Sequence, residues 1–226
     1  LIVGSNSIAP RGCQTFPEYS YEWLEKEYDT IATREADPFY ISPSTIDRLN
    51  KVYPYWKGKT VSDLAAASMD EKVLDVFLNH GIFTVGNYFY NGIGHINVDY
   101  AKVINRGLEG VIDEAKNALS KLYIGSGDYL KRKTFLEAVI ESCEGVIIYA
   151  QRYSALARKE ADACTDSVRR AELIRISETC AHVPAKPARS FYEACQAFWF
   201  IQQLLQCESS GHSISPGRFD QYMYPL

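Results

Sequence analysis

The chain has 226 residues, 46% of them hydrophobic and 23% charged, with a formal net charge of −4. A chain of this length can bury about 70% of its unfolded surface, so no disulfide or metal staple is needed to hold a core. The acidic balance argues against nucleic acid or an anionic membrane as a partner reached by bulk electrostatics, and no run of roughly 18 apolar residues is present to span a bilayer.

Residues 1–19 read as an extended arm, because Pro10, Gly12 and Pro17 forbid a regular helix. A short helix is expected over 20–28 and a turn over 33–43. Ser42 followed by Pro43 is a cap and a first-turn proline, which predicts a helix over 43–51 that "YPYWKGKT" breaks. Thr60 caps "VSDLAAAS", and 69–79 gives another short helix.

Residues 81–98, "GIFTVGNYFYNGIGHINV", carry four glycines and no charge. They have no helical period, and the glycines interrupt any strand pattern. The segment reads as buried irregular structure, a feature that tends to be functional.

Asp99 then caps a helix running to about Leu122, with Val103, Ile104, Leu108, Val111, Ile112, Ala115 and Leu119 as its apolar stripe. Gly107 and Gly110 lie inside it, each costing about 1 kcal/mol against alanine, and close approach of another backbone is the expected reason. Over 134–162, Leu136, Cys143, Ala150 and Ala157 recur every seven residues, with Val139, Val146 and Tyr153 between them. That is a helix-on-helix seam, and bundle packing follows. A helix over 167–181 stops at "HVPAKPA". Ser190 and Glu193 then have capping-box spacing. The next helix is apolar nearly all round (Phe191, Cys195, Phe198, Trp199, Ile201, Leu204, Leu205), so burial on most sides is expected. It leads into "CESSGHSISPGRFDQYMYPL". A deeply buried helix that delivers a polar loop just before the chain ends is expected of a fragment, truncated at the C-terminus and, with "LIVGSNS" opening without methionine, at the N-terminus too.

Cys13, Cys143, Cys164, Cys180, Cys195 and Cys207 form no C-x-x-C pair, and several fall on helical apolar faces, which fits a reducing compartment. Tyr88, Tyr90, Tyr100, Tyr222 and Tyr224 gather near loops, either as ordinary amphipathic packing or as a pocket wall.

The four histidines show no H-x-x-x-H or H-E-x-x-H spacing, so no metal site is expected. No G-x-S-x-G elbow accompanies Ser213, and "GSGDYLK" lacks the P-loop lysine spacing. Arg218, Asp220 and Gln221 read as a structural polar network near a strand end. His80 suits a helix C-terminus, and His182 precedes a Val-Pro turn. For His95 and His212 a hydrogen-bonded core histidine is the ordinary account. Their context points elsewhere: both sit in glycine-flanked loops after apolar segments, with Asn87 and Ser213 nearby in sequence. Neutral polar side chains in an apolar pocket are what recognition of a small polyol requires.

The stretches "LIVGSNSIAPRGCQTFPEY", "PYWKGKT", "GIGHINVDYAKVINRGLEGV", "YAQRYSALA", "VPAKPARSFYEACQAFWF" and "ESSGHSISPGRFDQYMYP" together resemble the N-terminal portion of glycyl radical enzymes, the relatives of pyruvate formate-lyase, over essentially all of residues 1–226. "HSISPGRFDQYMYP" marks the family, and the more selective "GNYFYNGIGHINVDY" is similar to the B12-independent glycerol and propane-1,2-diol dehydratases. The resemblance implies a ten-stranded α/β barrel wrapped in helices, to which this mainly α chain would contribute wrapping, early barrel elements and one pocket wall.

It also implies radical dehydration of a vicinal diol to an aldehyde. The glycyl radical is installed by an S-adenosylmethionine radical activase and passes to a cysteine thiyl, which takes hydrogen from C1. Carried onto this chain, the groups that hold the substrate hydroxyls are Asn87, His95, His212 and Ser213. His95 is the favoured general acid for hydroxyl departure, since histidine titrates near neutrality.

There are departures from the family pattern. Cys143 in "SCEG" and Cys207 in "QCES" do not match the Gly-Cys-x-Glu thiyl motif, and "GSNS" differs from the usual Gly-Asn-Gln. The radical loop is absent too, so the chain is expected to be inactive alone and to bind no cofactor itself. The resemblance further implies a homodimer for the full-length enzyme, in the cytoplasm or within a bacterial microcompartment. Choline lyase, hydroxyproline dehydratase, arylacetate decarboxylase and formate acetyltransferase are alternatives within the family, and a non-catalytic helical interaction module is the alternative outside it. Glycerol and propane-1,2-diol stay undistinguished.

Overall fold

The computed structural model describes residues 2–5, 14–82, 92, 94–209 and 213–226. They fall into two compact units, one of residues 1–10, 95–207 and 213–226, the other of residues 11–94 and 208–212.

In the first unit α5 (Tyr100–Ser120), α6 (Tyr129–Ala163), α7 (Ser167–His182) and α8 (Phe191–Ser209) form the core, with β1 (Ile96–Asn97), β2 (Ile214–Ser215) and α9 (Phe219–Met223) beside them. The seam read from the sequence is the inward face of α6: Leu136, Val139, Cys143, Val146 and Tyr153 are half-buried, and Ala150 and Ala157 are buried. Those alanines and Ala161 let α7 approach closely, and Ile176 and Cys180 pack on Ala150 and Ala157. α8 serves two clusters. Ala194 and Ile201 meet Tyr100, Val103, Ile104 and Leu108 of α5 and Met223 of α9, while Phe200 joins Ala150, Ala157, Ile176 and Cys180. A helix that fills two cores is apolar on most sides. Phe191 and Trp199 depart from the expectation and are exposed, while Glu193, Gln196 and Gln203 are the buried polar residues.

Asp99 caps α5 as expected, its carboxylate accepting from the Lys102 N–H at 3.0 Å. The helix breaks at Gly107, which has φ +70°. The Leu108 N–H donates to the Pro184 carbonyl (2.8 Å) and the Glu109 N–H to the Ala185 carbonyl (2.9 Å), while the Ile104 carbonyl accepts from the Ala188 N–H (2.9 Å). The segment after α7 thus replaces the bonds the break removes. A Cβ at 107 would overlap the Ala185 carbonyl oxygen and stand 2.6 Å from the Lys186 Cα. Gly110 does not follow the expected reason, because its nearest neighbour is the Arg106 Cβ of its own helix.

Ser190 accepts from the Glu193 N–H at 3.3 Å, but the reciprocal half of the capping box shifts by one residue. The Glu193 carboxylate accepts from the Arg189 N–H at 2.7 Å and grips the Arg189 guanidinium. His182 is structural, its Nε2 2.8 Å from the Pro187 carbonyl. Residues 2–5 lie extended on α6 and α8. The Val3 N–H donates to Gln196 Oε1 (2.8 Å) and Gln196 Nε2 donates to the Val3 carbonyl (2.7 Å).

The second unit contains α1 (Glu22–Glu27), α2 (Pro43–Trp56), α3 (Val61–Ala67) and α4 (Glu71–Leu78). The Ser42 and Thr60 caps form as read, and the Asp63 carboxylate accepts from the Thr60 N–H to complete a capping box. The break expected at "YPYWKGKT" does not occur at its start, since α2 runs through Pro54 to Trp56. Pro54 faces solvent, while buried Tyr53 stacks on Tyr21 with centroids 4.3 Å apart, so packing holds the last turn despite the missing N–H. His80 stands 3.4 Å from Asp75 after the end of α4.

Most of 81–98 lies outside the described residues. Gly92 and Gly94 are buried, but Ile82, His95, Ile96 and Asn97 are exposed, and 96–97 form a strand that the sequence did not predict. Among the described residues, no helix is long and apolar enough to cross a membrane.

Candidate functional site

β1 and β2 pair in parallel, with Ile96 opposite Ile214 and Asn97 opposite Ser215. The residue before the pair on one limb is His95, and on the other Ser213. Parallel neighbours stand about 5 Å apart, so two residues remote in sequence meet at one end of the pair. Both have positive φ, +60° at His95 and +54° at Ser213. Such a backbone costs an L-residue roughly 1–2 kcal/mol and persists where surrounding structure imposes it. Among the described residues the third non-glycine of this kind is Asp37, in an exposed turn that aspartate tolerates.

The pair is fastened from α8. Gln202 Nε2 donates to the Ile214 carbonyl at 3.0 Å, and its Oε1 accepts from the hydroxyl of Tyr100, the first residue of α5. Tyr100 is 1% exposed. Its ring packs on Phe198 (4.6 Å) and Tyr222 (5.7 Å), and Phe219 touches both of these. The Tyr222 hydroxyl donates to the Pro216 carbonyl at 2.7 Å, just beyond β2. Burial raises both phenols, Tyr222 to about 12 and Tyr100 further, with Tyr222 adding to the shift at Tyr100, so both stay protonated donors across the physiological range.

The expected site residues divide cleanly. His95 and Ser213 are brought together, and both are exposed. Asn87 and His212 lie outside the described residues. Of the tyrosines, Tyr100 and Tyr222 support the strand pair from behind and Tyr224 is exposed, while Tyr88 and Tyr90 are also outside the described residues. Arg218 caps α9 through its carbonyl, but it, Asp220 and Gln221 are exposed. Cys143 lies in α6, Cys180 in α7, and Cys195 and Cys207 in α8. Burial pushes the Cys143 and Cys195 thiols up, and the Cys180 thiol to about 12. Such thiols are inert packing groups.

The profile described as "Pyruvate formate lyase-like" matches residues 1–226. The chain belongs to the pyruvate formate lyase-like family. A solved structure concerned with 1,2-propanediol dehydration in Roseburia inulinivorans is 55% identical, with a TM-score of 0.94 over 99% of this chain and 28% of that one. The glycerol-bound B12-independent glycerol dehydratase from Clostridium butyricum is 49% identical, with a TM-score of 0.93 over the same shares. The probable dehydratase YbiW of Escherichia coli is 34% identical over 100% of this chain and 28% of its own length. The chain thus spans a little over a quarter of the length of the relatives it matches.

In this member of the pyruvate formate lyase-like family, sequence reasoning missed Gln202 as a site-supporting residue. A signal existed: a glutamine on a helix otherwise read as apolar must find hydrogen-bond partners. Its partners, Tyr100 and Ile214, lie on other elements.

Proposed function

We propose that this chain forms one wall of the substrate pocket in a glycyl radical dehydratase acting on a small vicinal diol, glycerol or propane-1,2-diol. The observation that carries the reading is the register of β1 and β2, which sets His95 beside Ser213 on left-handed backbone. The likeness to two solved relatives concerned with 1,2-propanediol and glycerol supports the substrate class.

Ser213 and His95 hold the substrate hydroxyls, with Asn87 and His212 completing the set. Fixing two adjacent hydroxyls fixes the torsion between their carbons, and this aligns the breaking bonds. His95 delivers a proton to the departing hydroxyl, so that it leaves as water. The glycyl radical, installed by an S-adenosylmethionine radical activase in another part of the polypeptide, supplies hydrogen abstraction from C1 through a cysteine thiyl. That part also completes the ten-stranded barrel, to which this chain adds early elements, in a homodimeric enzyme of the cytoplasm or a bacterial microcompartment. Cys143 in "SCEG" and Cys207 in "QCES" do not match the Gly-Cys-x-Glu thiyl motif, so the thiyl cysteine is assigned to that other part as well. The chain alone is therefore inactive.

The test is aldehyde production by the activated full-length polypeptide. His95→Ala lowers kcat by about 100-fold or more, the usual scale for loss of a positioned general acid. His95→Gln keeps a hydrogen-bonding side chain and recovers binding without turnover. Full turnover in His95→Ala and Ser213→Ala would favour the helical interaction module.

A further inference from the structure

We propose that Gln202 is a positioning residue for the diol pocket, acting as a brace that fixes the register between the limb carrying His95 and the limb carrying Ser213. The inference rests on the pocket reading above.

A parallel pair of two residues has too few ladder bonds to define its own register. A slip of one residue would move Ser213 about 3.3 Å along His95 and take one hydroxyl anchor out of reach. The register must therefore be imposed from outside, and the amide of Gln202 bonds both to β2 and to the first residue of the helix that follows β1. Its Nε2 donates to the carbonyl of Ile214, the residue next to Ser213. Its Oε1 accepts from Tyr100, which follows β1 at the start of α5 and is held rigidly in the aromatic cluster. The Tyr100 N–H donates to the Val98 carbonyl at 2.9 Å, which ties the phenol to the segment leaving β1. The amide donates to one limb and accepts from the other through two separate atoms. Glutamate in the same place keeps the bond from Tyr100 but turns a second acceptor towards the Ile214 carbonyl.

The experiment uses the full-length polypeptide carrying this chain, activated, with glycyl radical content measured by electron paramagnetic resonance and aldehyde formation followed against diol concentration. Gln202→Glu raises KM for the diol about tenfold at unchanged radical content, in protein that keeps a single cooperative unfolding transition, and Tyr100→Phe gives a smaller rise. Ser213→Ala costs severalfold less in the Gln202→Glu background than in the native one, because the hydroxyl is already displaced. A structural role alone would give multiplicative losses. Native KM in Gln202→Glu, or losses that multiply, would overturn the brace while Ser213→Ala and His95→Ala still cripple the enzyme. If those two variants are themselves at full activity, the pocket reading fails and takes the brace with it.

Discussion

α8 holds extended backbone at two places, with the same side chain and opposite logic. At one end the Gln196 amide makes both of its bonds to a single residue, Val3, as a neighbouring strand would. Six residues on, the Gln202 amide divides its bonds between Tyr100, which opens α5 just after β1, and Ile214 of β2. The first arrangement is a closed ring of two bonds on one buried side chain, so its loss strands two backbone groups together. The second places one bond on β2 and one on the residue that opens α5, so its loss frees one limb relative to the other. One glutamine anchors chain and the other sets geometry.

The largest effect that would test this contrast is Gln196→Leu. It removes both partners of half-buried Val3 at once, and two stranded backbone groups make a loss of about 2–4 kcal/mol the expected outcome in urea unfolding. Amide exchange at Val3 should accelerate in step. Gln202→Leu should cost about 2–3 kcal/mol, since the buried Tyr100 hydroxyl loses its acceptor and the carbonyl of buried Ile214 its donor. The two differ in geometry and not in energy: Gln202→Leu should also raise KM for the diol in the full-length polypeptide, and an equal rise in Gln196→Leu would break the comparison.

The two docks also differ in what the sequence revealed. The helices around them were legible, because apolar spacing on α6 reports the seam directly and Thr60, Asp99 and Ser42 announce their own helix starts. Gly107 was legible as a site of close approach, but the same rule failed for Gly110, where no foreign backbone arrives. Pro54 misled because a stacked tyrosine beside it outweighs one missing hydrogen bond. The strand pair was invisible, since two residues carry no period, and its partner strand lies on the far side of four helices in sequence. His95 and Ser213 came from resemblance and loop context rather than from any local rule. Their register is a long-range fact written in the partners of Gln202.

A middle-sized effect sharpens the picture at the arm end, where α8 begins on the Arg189–Glu193 clamp. Desolvation alone would raise the Glu193 carboxyl, but the bonds from the Arg189 guanidinium and N–H, with His182 nearby, outweigh it and hold the group below its ordinary range. A carboxyl depressed on folding stabilises fully above its unfolded value of about 4.3, and the contribution is lost as pH falls through the lower folded value. Glu193→Gln should therefore lower stability by about 1–2 kcal/mol near pH 7, a figure moderated by the exposure of Arg189. The variant and native curves should converge in acid. A difference that persists at pH 2 would assign the clamp to packing instead of charge.

The smallest effect tests whether the arm behaves as one unit. Trp199 Nε1 donates to the Gly4 carbonyl at 3.3 Å, and the indole is 40% exposed. In Trp199→Phe that carbonyl can turn to water, so the expected loss is only about 0.5–1 kcal/mol. The informative measurement is the pair. If Gln196 is the residue that docks the arm, then in the Gln196→Leu background residues 2–5 have already left α8 and the Trp199 bond no longer exists to be lost. Trp199→Phe should then cost nothing further in urea unfolding, a coupling as large as its own single effect. Simple additivity would mean that the tryptophan stabilises α8 by its own packing, and that the arm is held residue by residue without cooperation from the Gln196 ring.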